Sequence, residues 1–253
     1  MLFRSKTMAA AAGGVAASAS GQQILDIAEQ HVGEKYVLGV LVPKDNPNWT
    51  GPWDCSEFAS WIIFQAAARL YGCNRDFGDP ATANAFTGYW NRDAKSLGQI
   101  ISIDQAAATP GANVLRVPQP GTTGHLVVSD GLGGTVEAHS SKDGVIRSTL
   151  SNRRWDTGIL VPGIVYTAGT SITVNPPDTV IYRLTTPLMT GGKVQEIQEA
   201  LRTEGFDPGV IDGEFGPHTQ AAVVAFQLSN GLVADGEVGP VTAAELGLEL
   251  PKL

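Results

Sequence analysis

Apolar residues at Ile24, Leu25, Ile27, Ala28 and Val32 recur at helical spacing and predict a helix over Gln22–Val32. A loop rich in Pro and Trp follows, from Pro43 to Pro52. Phe58, Trp61 and Ile62 then recur at i, i+3 and i+4, predicting a second helix from near Asp54 to Gly72, a residue suited to a left-handed C-terminal cap. Asp54 with Glu57 three residues on reads as a capping box and puts Cys55 in the first turn. Residues 73–110 are polar, punctuated by Gly and Pro, and show no period. From residue 112 the pattern turns to strands: Ala112–Val117, Leu126–Ser129, Thr135–Ala138, Val145–Ser148 and Ile159–Tyr166, β-branched and separated by Gly clusters. Helices first and an antiparallel strand run second is an α+β signature.

The pattern changes again beyond residue 168. Thr, Ser and Pro176-Pro177 mark 168–179 as a linker. An internal repeat follows, in which Asp212-Gly213-Glu214-Phe215-Gly216-Pro217-His218-Thr219 returns as Asp235-Gly236-Glu237-Val238-Gly239-Pro240-Val241-Thr242. Each copy is a Gly-rich turn leading into a helix with Pro near its start. Helices over Lys193–Glu204, Thr219–Asn230 and Val241–Leu246 make 180–253 a small all-α three-helix domain after an α+β domain at 21–167.

Composition narrows the classes. A net charge of −8 over 253 residues, with no Lys/Arg run, excludes nucleic acid as a partner. No apolar stretch approaches the ~18 residues of a membrane span. At 1–20, a basic start, a small-residue stretch and Ala17-Ser18-Ala19 resemble a weak signal segment, with a flexible Ala/Gly/Ser tail as the equal reading. Cys55 and Cys73 are the two cysteines. They form neither a disulfide scaffold nor a metal knuckle, and at ~1.5 Å per residue a helix between them holds them about 27 Å apart.

The first turn of a helix favours a thiolate through its unpaired N–H groups and the positive end of the dipole, and Cys55 stands there. By position alone, a buried structural cysteine is an equal reading. Histidine shifts the balance. His125-Leu126-Val127-Val128-Ser129-Asp130 and Thr135-Val136-Glu137-Ala138-His139 flank a Gly-rich turn, so a turn near Leu132 sets position 125 opposite 139. One imidazole can then take the thiol proton while the other orients it. His31 and His218 have no such partner and read as structural or solvated.

Asp54-Cys55-Ser56-Glu57-Phe58, Gly124 to Gly131 and Glu137-Ala138-His139 resemble the signatures of the NlpC-type (NlpC/p60) cell-wall cysteine peptidases, and Gly33-Glu34-Lys35-Tyr36 resembles their Gly-x-x-Tyr segment. Glu57 stands where that family usually has Gly. The resemblance implies a circularly permuted papain-like fold. It implies Cys55 as nucleophile, His125 as general base, His139 as orienting third member, and Tyr36, Asp54 and Ser56 as substrate or oxyanion contacts. It implies hydrolysis of a stem-peptide amide, D-glutamyl to diamino acid, with no cofactor and no metal. The repeat region, with Val194 to Gln198 and Ala225-Phe226-Gln227, resembles the three-helix type 1 peptidoglycan-binding domain.

Together these imply a monomeric peptidoglycan hydrolase whose partners are stem peptide and glycan. It would act outside the cytoplasm: in the periplasm or wall, secreted, phage-associated, or injected as a toxin, which would add a neutralising partner. The alternatives are an N-acetylmuramoyl-L-alanine amidase using the same triad, a zinc hydrolase ligated by Cys55, His125 and His139, and a non-catalytic wall-binding protein.

Overall fold

The computed structural model describes residues 18–253 except 76, 98 and 171. Most of the tail and signal-like segment, residues 1–17, lies outside the described residues. Ala19 is buried, and Ser20 caps the first helix by accepting from the Gln23 amide, so the folded domain begins before residue 21.

Helix α1 (Gly21–Glu29) buries Ile24, Leu25 and Ala28. Helix α2 (Cys55–Ala67) buries nine successive residues from Cys55 to Ile63, as a helix enclosed on all sides must. It ends earlier than its sequence suggests. Ala68 takes the left-handed cap at φ 49°, whereas Gly72 does other work: a Cβ there would sit 2.1 Å from the Trp90 indole. The capping box is half present, since Asp54 accepts from the Glu57 amide at 2.8 Å while the Glu57 side chain turns inward. Fully buried, it pairs with the ammonium of Lys44 and accepts from the amides of Val42 (3.0 Å) and Ala85 (2.7 Å). Lys44 also donates to the carbonyls of Val42 and Ala83, both at 2.8 Å. This cluster ties two loops to the first turn of α2.

The unassigned stretch holds α3 (Thr87–Leu97), a two-residue strand β1 (Ile100–Ile101) and α4 (Ile103–Ala107), which opens with a Ser102/Gln105 capping box. Strands β2 (Asn113–Arg116), β3 (His125–Ser129), β4 (Gly134–Ser140), β5 (Gly144–Thr149) and β6 (Thr157–Ile159) follow. They form one antiparallel sheet in the order β1-β6-β2-β3-β4-β5. The last strand shares only Ile159 with the expected Ile159–Tyr166: it begins at Thr157, and Pro162-Gly163, with Gly163 at φ 82°, carries the rest of that apolar run off the sheet. Helix α2 packs on the sheet through a core that includes Phe58, Ile62, Leu126, Val128, Val136 and Ala138.

The stretch after the sheet is strapped down. Gly169 donates to the Ala108 carbonyl, Val174 to the Asp104 carboxylate, and the Asn175 carbonyl accepts from Asn152. The C-terminal domain comprises α5 (Gly192–Thr203), α6 (Pro217–Ser229) and α7 (Pro240–Glu245) around Val194, Ile197, Phe215, Val223, Phe226 and Val238. Its repeat is also a repeat of hydrogen bonds. Gln198 donates to Asp212 (2.9 Å), the Glu214 carbonyl and Thr219, and accepts from Gly213. Gln227 does the same with Asp235 (2.7 Å), Glu237, Thr242 and Gly236. The first turn faces solvent. The second docks on the sheet domain, where Thr123 donates to the Ala234 carbonyl at 2.8 Å and Arg154 grips Glu237.

Candidate active site

Cys55 begins α2 because Asp54 caps the helix by accepting from the free Glu57 amide of its first turn. The Leu126 amide of β3, one residue past His125 in the chain, bonds toward the Cys55 sulfur. Burial pushes the Cys55 thiol up to about 12, and the Asp54 carboxylate adds to the rise. The Leu126 amide, Arg116 and the Ser56 amide oppose it without prevailing. The helix terminus therefore does not yield a resting thiolate: the buried group stays a neutral thiol. Cys73 is also free and buried, and burial pushes its thiol up to about 11.

The hairpin register follows the expectation from sequence. Val128 pairs with Val136 and Ser129 with Thr135, so continuing the ladder sets 125 against 139, and the two imidazole rings lie 5.9 Å apart, edge to face. Their hydrogen bonds, however, go elsewhere. His139 is partly exposed and pairs through Nδ1 with Asp143 at 2.8 Å. His125 is buried, and its Nε2 meets the Glu137 carboxylate at 2.5 Å. Glu137, fully buried, accepts Thr135 at 2.7 Å and a two-point grip from Arg153 at 2.6 and 2.8 Å. Arg153 lies over the Trp155 ring (4.6 Å), and Trp155 stacks on His125 (6.1 Å, 26° between planes).

This network fixes the state of the imidazole. Burial alone would raise the Glu137 carboxyl, but Arg153 and His125 hold it well below the usual carboxylate range. An ionised carboxylate only accepts, so Nε2 carries the hydrogen and Nδ1 is left as the basic nitrogen. Burial lowers His125 to about 4, against the pull of Glu137 and helped by Arg153 and Arg116. Its resting form is the neutral base.

Asp54 bonds Glu57, Ser56 (3.0 Å) and Gly39 (3.2 Å), and burial raises its carboxyl despite those bonds. Ser56 faces Asp54 and the Ala85 carbonyl. Both side chains are committed within the fold. Burial also raises the Tyr36 hydroxyl, with the nearby Cys55 and Asp54 adding to the rise. His31 is packed edge-on against Trp53 and Trp61 and bonds Glu34, a structural role, while His218, expected in a turn, is exposed at the start of α6. Among the described residues, no group of three His, Cys, Asp or Glu is placed to hold a metal. The sequence reading passed over Glu137 as a functional group, along with Arg153 and Trp155. The one signal for Glu137 was that residues two apart on a strand share a face, so 137 was as eligible as 139.

Residues 190–246 match the family model of the putative peptidoglycan binding domain. The N-acetylmuramoyl-L-alanine amidase CwlL of Bacillus licheniformis is 47% identical over 72 residues, 26% of this chain and 20% of that protein. Over the three amidases it matches, the chain spans less than a quarter of their length. Among solved structures, the NlpC/p60 domain of the peptidoglycan hydrolase SagA aligns at a TM-score of 0.41 with 24% identity, over 56% of this chain and 99% of that domain. An uncharacterized protein in the bpoA1 3' region of Kitasatospora aureofaciens is 35% identical over 89 residues, 32% of this chain and 75% of that protein. The class is thus a two-part chain, an α+β domain carrying a thiol, an imidazole and a carboxylate, joined to a peptidoglycan-binding module. Over the stretch they share, the chain belongs to the same family as the Kitasatospora protein.

Proposed function

We propose that the chain is a peptidoglycan hydrolase, a cysteine endopeptidase cutting a stem-peptide amide through a thioacyl-enzyme. The observation that carries this reading is the ordered set Leu126 amide–Cys55, then His125–Glu137–Arg153, at a helix terminus against a sheet. The Cys55 sulfur attacks the carbonyl carbon as its proton passes to Nδ1 of His125. The imidazolium is then paired with Glu137 through Nε2–H, which offsets the cost of charging a buried ring. Amides of the first turn of α2 stabilise the oxyanion. His125 returns the proton to the leaving amine, and water, deprotonated by the same nitrogen, releases the acyl group.

In this reading Glu137 takes the orienting role that the resemblance gave to His139, and Asp54 and Ser56 position the nucleophile helix. Tyr36 remains a candidate substrate contact. The peptidoglycan-binding module supports wall peptidoglycan as the partner and action outside the cytoplasm, and no helix among the described residues is long and apolar enough to cross a membrane. The D-glutamyl–diamino acid bond is the proposed cut. Purified sacculi digested by the protein should release stem fragments with new termini at that bond, read by mass spectrometry, and Cys55→Ala should release none while still binding sacculi. Undiminished release by Cys55→Ala would overturn the mechanism. Fragments with a free L-alanine amine and intact stems would assign the muramoyl–L-alanine bond instead.

A further inference from the structure

Arg116 is nine-tenths buried, directly opposite His125 in the β2–β3 ladder. Its Nη1 meets Oδ2 of Asp235, from the second Gly-rich turn of the C-terminal domain, at 2.9 Å. Its Nε and Nη2 are buried and find no partner. A guanidinium offers a planar fork matched to the two oxygens of one carboxylate, and buried donors left empty are costly. Asp235 cannot fill the fork, because its Oδ1 is held by Gln227 and by the Glu237 amide (2.9 Å). The equivalent Asp212 of the first turn makes the same internal bonds but faces solvent. Asp235 thus differs from its copy in carrying one oxygen to a cation beside the proposed base.

We propose that Arg116 is a substrate-binding residue that reads a free carboxylate next to the scissile amide, and that Asp235 occupies its place, with one oxygen, in the docked unliganded chain. The assignment rests on the peptidase reading and specifies its substrate: a γ-linked D-glutamyl stem whose α-carboxylate is free rather than amidated. That carboxylate lies a short carbon chain from the carbonyl that Cys55 would attack. It can take both open donors of Arg116 as Asp235 withdraws.

The test uses two soluble peptides, L-alanyl-γ-D-glutamyl-diamino acid and its D-isoglutamine counterpart. Wild type should cleave the acid at least tenfold better than the amide in kcat/KM, the usual scale for charge-assisted hydrogen bonds. R116Q should bring that ratio close to one, R116K should keep part of it, and D235N should lower KM for the acid severalfold. A ratio that R116Q leaves unchanged overturns the assignment. Should R116Q not fold, D235N decides: an unchanged KM for the acid overturns it. Binding of both peptides to Cys55→Ala separates this from the peptidase reading. If wild type cleaves neither peptide but Cys55→Ala binds the acid tenfold tighter, the peptidase reading fails and Arg116 stands. Equal affinity for acid and amide overturns Arg116 whatever the activity.

Discussion

Replacing Glu137 with Gln keeps the shape of the side chain and removes its charge. In the folded chain this carboxylate has three jobs: it accepts Nε2–H of His125 at 2.5 Å, neutralises Arg153, and offsets the burial that lowers the imidazole to about 4. In the proposed reaction its contribution is the charge-assisted bond to an imidazolium present only during proton transfer. Such bonds are worth ~1.5–3 kcal/mol, or about 10- to 150-fold in rate. His139, by contrast, touches the His125 ring at 5.9 Å, is partly exposed, and spends its Nδ1 on Asp143. Glu137→Gln should therefore lower kcat on a soluble stem peptide by about 10- to 150-fold, and His139→Ala by less than about fivefold. Initial rates from stem-peptide cleavage, on proteins checked for folding by near-UV circular dichroism, read the difference directly. A His139→Ala loss equal to or larger than that of Glu137→Gln would refute the geometric assignment and restore the histidine pair.

Three further outcomes follow from the same physics. Because burial holds the Cys55 thiol near 12, its alkylation by iodoacetamide should keep rising through pH 8–10; a thiolate plateau near pH 6 would contradict that. The folded pKa of His125 lies below its unfolded value, so its stabilising contribution is present above about pH 6.5 and fades as pH falls toward 4, by about 3 kcal/mol at most. Urea midpoints should show that slope in wild type and a smaller one in His125→Gln. Lys44→Met should cost ~3–5 kcal/mol by stranding a buried carboxylate, while Lys44→Met with Glu57→Leu should recover most of it, measured as a double-mutant cycle in urea.

The periodic elements were legible because their signals are local. Ser20 and Asp54 cap helices that begin where the sequence says, and the hairpin register follows from the length of its Gly-rich turn. What escaped is set by distance along the chain. Lys44 meets Glu57, Arg153 meets Glu137 and Arg116 meets Asp235 only once the chain is folded, and no period announces such pairs. Choosing 137 over 139 needed side-chain geometry, since both residues share a strand face. The helix terminus at Cys55 is legible in sequence, but the burial that opposes its effect on the thiol is not, because the core that encloses the sulfur is assembled from residues far apart in the chain.

The strapped stretch after the sheet sets a leash. Asn175 is bonded to the first domain, and Asp178 already accepts from Leu253 in the second, so Pro176-Pro177 is the slack between them. At ~3.3 Å per residue that spans about 10 Å, in the stiff regime of proline-rich tethers. If the second turn undocks, the wall-binding module can tilt about this point but cannot roam. In the proposed hydrolase, anchor and blade then work on the same few strands of the meshwork, and new cuts should cluster around each point of attachment instead of scattering over the sacculus.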